Sequence, residues 1–208
     1  MNNKLIEKIK NADFSKILST LNYRYFSNGE YNVNIIGVRA DMDNRVTNRY
    51  DDAIVVEYKE NNKLVRKVWA ITTEPGSKFM RNPSNVKGTA ILVPGQYNGV
   101  YKIDLHRGKY KALCQRNGSV KVYRDKDRDN IYDCNINTID KGWFGINIHR
   151  SNETYTRGTI DGYSAGCQVF NNPKDFAEFM KIINKSASIY GNKFTYTLIT
   201  ENDLCIGK

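Results

Sequence analysis

The chain has 208 residues, enough for one domain or one domain with a small appendage. Hydrophobic residues are 40% of it and charged residues 26%, with 15 glycines and 4 prolines, which excludes collagen-like, disordered and membrane-spanning classes. Lysine plus arginine number 32 against 22 acidic residues, and the net charge of +10 favours an anionic partner: nucleic acid, an acidic membrane face or an anionic cell-wall polymer.

The first 21 residues predict helix: Leu5, Ile6 and Ile9 share a face, and Phe14, Ile17, Leu18 and Leu21 follow at helical spacing after Asp13, a candidate cap. No apolar run of signal-peptide length occurs there, so synthesis in the cytoplasm with reduced thiols is expected. From residue 32 the period shortens to the β-like runs VNIIGV, AIVVEY, VRKVWAITT, TAILV, GVYKIDLH, KYKALCQ, SVKVYR and FGINIH, separated by turn signals such as Pro75-Gly76 and Pro94-Gly95. Asn172 then caps a helix with Pro173 in its first turn, an apolar stripe of Phe176, Phe179, Met180, Ile183 and Ala187, and Gly191 past its end. FTYTLIT closes the chain as a strand. The expected fold is mainly β, a sandwich or barrel of around ten short strands, with a helical segment over 1–30, a single β-rich domain over 31–208 and one C-terminal helix. The polar stretches 39–52 and 73–88 are expected to be long surface loops.

Positive charge is concentrated between residues 101 and 126, where Lys102, Arg107, Lys109, Lys111, Arg116, Lys121, Arg124 and Lys126 face only Asp104 and Asp125. A solvated strand face and a binding stripe fit that run equally. The four cysteines (Cys114, Cys134, Cys167, Cys205) form no CxxC pair, against both a zinc ribbon and a dense disulfide framework.

There are two histidines, His106 and His149. His149 ends a strand-like run, and 18 positions later Gly162-Tyr163-Ser164-Ala165-Gly166-Cys167 leads into CQVF. Small residues before a cysteine let backbone pass close to a substrate and leave N–H groups to meet an oxyanion. A histidine is the usual base that turns a thiol into a nucleophile. A buried structural thiol beside a surface histidine fits the same spacing. The segment also matches G-x-S-x-G, but both histidines precede Ser164 and no βαβ alternation surrounds it, so an α/β-hydrolase elbow is rejected. Papain-like order fails because there the cysteine comes first.

His149-Arg150 followed by Ser164-Ala165-Gly166-Cys167 resembles the signature of the L,D-transpeptidase (YkuD-type) catalytic domain: a histidine and a small residue, some 14–17 residues, then Ser/Thr-x-Gly-Cys. The paired runs at 53–76 and GTAILVPGQYNGVYKI extend the likeness over roughly residues 50–170. The resemblance implies Cys167 as nucleophile, His149 as its base, backbone N–H groups at Gly166 and Cys167 as the oxyanion site, and Ser164 shaping the turn. Ser164, Arg150 and Tyr163 are the candidate substrate-binding residues. Arg150 stands where the family has a small residue, Ala165 where it usually has His, and Gln168-Val169 where it has an apolar residue and Arg or Asn.

Asp125, Asp127, Asp129 and Asp133 occupy positions 1, 3, 5 and 9 of a loop similar to a calcium loop, with Asn130 in place of glycine and Ile136 in place of the bidentate Glu. A polar hairpin tip with the carboxylates neutralised by Arg124, Lys126 and Arg128 is the alternative. The expected function is a cysteine-dependent enzyme cleaving or exchanging a peptidoglycan stem-peptide bond without a required cofactor. It is expected to be a monomer, a phage endolysin or virion-associated lytic enzyme reaching the wall after release, without a membrane span or a stable nucleic-acid complex. The alternative is a non-catalytic basic module that binds nucleic acid or an anionic wall polymer.

Overall fold

The structure, a computed structural model, describes residues 3–206. Its strands are β1 (Asn34–Arg39), β2 (Asp52–Glu60), β3 (Lys63–Thr72), β4 (Thr89–Leu92), β5 (Gly95–His106), β6 (Tyr110–Gln115), β7 (Val120–Asp125), β8 (Asp140–Gly142), β9 (Ile148–Arg150), β10 (Gln168–Phe170) and β11 (Phe194–Thr200). Eight of them close into a barrel in the order β1-β11-β5-β6-β9-β10-β3-β2, and β4, β7 and β8 make a separate three-stranded sheet. The mainly β fold read from the sequence is therefore what forms, as a barrel rather than a sandwich.

Helices α1 (Asn3–Lys10) and α2 (Phe14–Thr20) replace the single expected N-terminal helix. The break has a local cause: the Asp13 side chain accepts the Lys16 N–H and starts a new helix. The Arg66 guanidinium donates to the carbonyls of Ile9, Lys10 and Ala12 at and just past the end of α1. Leu5, Ile9, Phe14, Ile17 and Leu18 share one buried cluster with Ile36, Val38, Ala53 and Val55. Ile35, Ile54 and Val56 face the other way, into a second cluster that includes Phe176, Phe179 and Ile183 of α4 (Pro173–Tyr190). Both faces of β1 and β2 are thus covered, which is why these strands read as unbroken apolar runs instead of alternating.

The 73–88 stretch contains a short helix, α3 (Ser77–Arg81), instead of being loop throughout. The FGINIH run is strand only from Ile148, and residues 143–147 form an irregular strap leading into β9. Asn172 caps α4 as expected, accepting the Lys174 N–H, with Gly191 at its end. No helix among the described residues is long and apolar enough to cross a membrane.

Candidate active site

Short β9 and β10 lie side by side and parallel, with His149 opposite Val169. Cys167 lies just ahead of β10, and its sulfur meets the N–H of Asn147, two residues before His149. The 151–167 segment that joins them is tied down by Asn48. Its Oδ1 accepts the N–H groups of Ser77 and Asp161, and its Nδ2 donates to the Asp161 carboxylate. Residues of the 39–52, 73–88 and 151–167 stretches thereby meet behind the cysteine, and Tyr50, Ile160 and Val169 pack with Tyr163 and Cys167.

Cys167 is half-buried. Its Sγ donates to the Gly145 carbonyl and accepts the Asn147 N–H, both at 3.4 Å. The first contact holds the resting thiol protonated; the second supports the sulfur once it carries charge. Burial pushes the thiol above its ordinary value, while the Asn147 N–H and the Arg107 charge pull it down.

His149 is 4% exposed, and its ring lies at 4.0 Å on that of His106, nearly parallel. Its Nδ1 is 2.9 Å from the Arg150 carbonyl. A carbonyl only accepts, so Nδ1 carries the proton and Nε2 keeps a lone pair. No hydrogen bond joins Nε2 to another described residue, so in this resting geometry the imidazole and the thiol are not hydrogen-bonded to each other. Burial, then the neighbouring His106 and Arg107, hold His149 neutral by lowering it to about 3. His106 falls to about 4 for the same first reason, and its Nδ1 meets the Asn147 side-chain amide at 3.0 Å.

Ser164 is fully buried, and its hydroxyl is used inside the turn, donating to the Cys167 carbonyl at 2.8 Å and accepting the Gly166 N–H at 3.1 Å. The expectation of Ser164 as a substrate contact is corrected accordingly: it shapes the turn and does not face outward. The Gly166 N–H is likewise taken, which leaves the Cys167 N–H, unpartnered among the described residues, as the donor available to an oxyanion. Gly166 has φ +117°, and a Cβ there would overlap the Ala90 carbonyl oxygen, so the position admits only glycine.

Arg150 contributes through its backbone. Its guanidinium lies over the Tyr110 ring at 4.3 Å and pairs with Glu153 at 2.9 Å, while the Tyr110 hydroxyl donates to its carbonyl at 3.1 Å. Lys109, Tyr110, Arg150 and Glu153 border a groove of about 250 Å³. Tyr163 is half-buried under the Arg157 guanidinium. In the basic run, Arg124 is buried over the Phe144 ring, so it belongs to packing rather than to a surface stripe.

Sequence reasoning missed the residues that hold the strap. Gln115 is 2% exposed, and its Oε1 accepts three successive N–H groups, from Phe144, Gly145 and Ile146, at 2.9–3.2 Å. Its Nε2 donates to the carbonyls of Gly118 and Gly142. That side chain fixes the Gly145 carbonyl and the Asn147 N–H against the sulfur. Gln168 acts similarly behind the cysteine, donating to the Gly166 carbonyl and accepting the Tyr196 hydroxyl at 2.7 Å. A lone glutamine in a strand carries no sequence signal for such a role. An exposed Trp143, two residues before Gly145, was also not singled out.

Fold and site together define a small β-barrel protein with a histidine in β9 and a cysteine immediately ahead of the parallel strand β10. Comparison with protein-family models, with curated proteins and with solved structures finds no match to this chain.

Proposed function

We propose that the protein is a cysteine-dependent enzyme that cleaves or exchanges a peptide bond in peptidoglycan stem peptides through a thioester on Cys167. The observation that carries this reading is a half-buried thiol ahead of β10 beside the parallel strand of a buried histidine, whose Nδ1–H is held by the Arg150 carbonyl. The substrate class is supported by the resemblance of His149 and Ser164-Ala165-Gly166-Cys167 to the L,D-transpeptidase signature, and by a net charge of +10 that suits an anionic wall.

In the proposed reaction, Nε2 of His149 takes the Cys167 proton as the sulfur attacks the carbonyl carbon. The Cys167 N–H meets the oxygen that becomes negative. The C–N bond then breaks, the imidazolium returns its proton to the leaving amine, and a thioester remains. Water or an acceptor amine attacks that thioester, gives its proton to Nε2, and the thiol is regenerated. A neutral resting pair means that proton transfer accompanies attack instead of preceding it. Nε2 must come within hydrogen-bond reach of the sulfur in the substrate complex, while the Arg150 carbonyl keeps Nδ1–H. A lytic role in a phage, as endolysin or virion component, belongs to the same proposal.

The test is digestion of defined muropeptides by reduced protein, followed by mass spectrometry, with Cys167→Ala and His149→Ala alongside. Cleavage or exchange is expected from the wild type, with a loss of at least 10³-fold in each variant, in line with concerted use of nucleophile and base. No product from wild-type protein, or equal product from Cys167→Ala, overturns the proposal.

A further inference from the structure

The loop that leaves β7 carries an acidic cluster that plays no part in the thiol chemistry. Asp125 closes that strand and is 1% exposed. Its Oδ2 accepts the Asp133 N–H at 2.8 Å, whereas Oδ1 is enclosed with no hydrogen-bond partner. Leaving a buried carboxylate oxygen unmatched costs about 1–3 kcal/mol or more, and folded proteins keep such atoms where a group outside the chain meets them.

The surroundings indicate the sign of that group. Asp127, Asp129 and Asp133 follow at alternate or near-alternate positions, all exposed, and burial together with their charges raises Asp125 to about 6. The neutralising residues expected from the sequence do not serve this cluster. Arg124 pairs with Asp140, and no ion pair to Asp125, Asp127, Asp129 or Asp133 forms from Lys126, Arg128 or any other cation among the described residues. The returning limb is fixed from outside, since the Val46 N–H donates to Asn130 and the Tyr132 N–H to Asn44. A loop held at both ends therefore presents four carboxylates, one of them with an enclosed, unsatisfied oxygen, and none of them ion-paired among the described residues.

The carboxylates have not closed on a common point: no three acidic, histidine or cysteine side chains among the described residues stand in metal-holding geometry. Asp125 is held in place, while Oδ1 of Asp127 accepts the Asp129 N–H at 3.3 Å and Oδ1 of Asp129 accepts the Ile131 N–H at 2.7 Å, turn contacts that these exposed side chains would share or give up to reach it. We propose that residues 125–133 bind a calcium ion, with Asp125 Oδ1 as the ligand already in position and Asp127, Asp129 and Asp133 drawn in around it. Several carboxylates on a flexible loop suit the larger, many-coordinate cation over magnesium, which demands a tight octahedron. Without a bidentate Glu at the twelfth position, binding belongs to the weaker class, Kd about 10⁻⁴–10⁻³ M. The bound ion would lock the end of β7 to the 44–46 segment.

Calorimetry of the whole protein with Ca²⁺ and with Mg²⁺, and terbium luminescence excited through the tyrosines, tests this independently of any wall activity. One Ca²⁺ site is expected, at least tenfold tighter than Mg²⁺, with terbium emission displaced by Ca²⁺. Asp127→Asn/Asp129→Asn is expected to weaken Ca²⁺ at least tenfold while the circular dichroism in EDTA stays unchanged; Asp125→Asn repeats the test at the buried ligand. No heat and no emission with millimolar metal, an equal response to Mg²⁺, or unchanged affinity in the double variant overturns the proposal.

Discussion

Replacing Gln115 by alanine removes five hydrogen bonds at once, and their unequal burial sets the size of the effect. The Ile146 N–H bond is buried, so its donor loses its partner where water reaches it poorly, at about 1–3 kcal/mol. The bonds from Phe144 and Gly145 and those to Gly118 and Gly142 are only partly buried, and water replaces them in part, at about 0.5–1 kcal/mol each. The expected loss is therefore about 3–7 kcal/mol, a large share of a total stability of about 5–15 kcal/mol. Urea denaturation reads the stability. Peptide-resolved iodoacetamide labelling across pH reads the site, because the exposed Cys134 and Cys205 react as well. With the strap loosened, the Asn147 N–H no longer supports the sulfur, and the alkylation profile of Cys167 moves to higher pH. A loss below about 1 kcal/mol with an unmoved profile would show that Gln115 does not hold the strap, and the account of the thiol's surroundings fails with it.

Gly166→Ala should cost at least about 1–3 kcal/mol in backbone strain alone, before the overlap with the Ala90 carbonyl, and should slow Cys167 alkylation; an unchanged urea midpoint contradicts the geometry. Both histidines should stay neutral as pH falls from 8 to 5, so their ring-proton NMR shifts should hardly move, whereas a midpoint near 6.5 for His149 would contradict its burial. The unfolded chain binds these protons at about 6.5 and the folded one only near 3–4, so the histidines' contribution to stability is present above about 6.5 and is lost as pH falls. Asp52 and Asp125, each raised to about 6, act oppositely: they favour the fold below about 4, and that contribution is lost as pH rises through 6. Melting temperature alone will therefore show a flattened pH dependence in this window. Asp13→Ala should remove about 1 kcal/mol through the lost cap on α2, read by urea denaturation, without altering Cys167 labelling.

The sequence by itself determined the mainly β architecture and the long C-terminal helix with its cap and stop, and it singled out one histidine and one cysteine as candidates. These are local properties: apolar period, capping chemistry and residue types at short spacing. Barrel closure, the separate sheet of β4, β7 and β8, and the seating of the α1 end came from partners far along the chain, such as Arg66 reaching back to the carbonyls of Ile9 and Ala12. Tertiary structure alone also decided the site's finer roles. It turned Ser164 and Gly166 inward, made the Arg150 backbone rather than its guanidinium the partner of His149, and brought Gln115 across to the strap. Hydrogen bonds to backbone atoms leave no mark on side-chain identity, so only the folded chain reveals which carbonyl orients a base and which amide secures a loop.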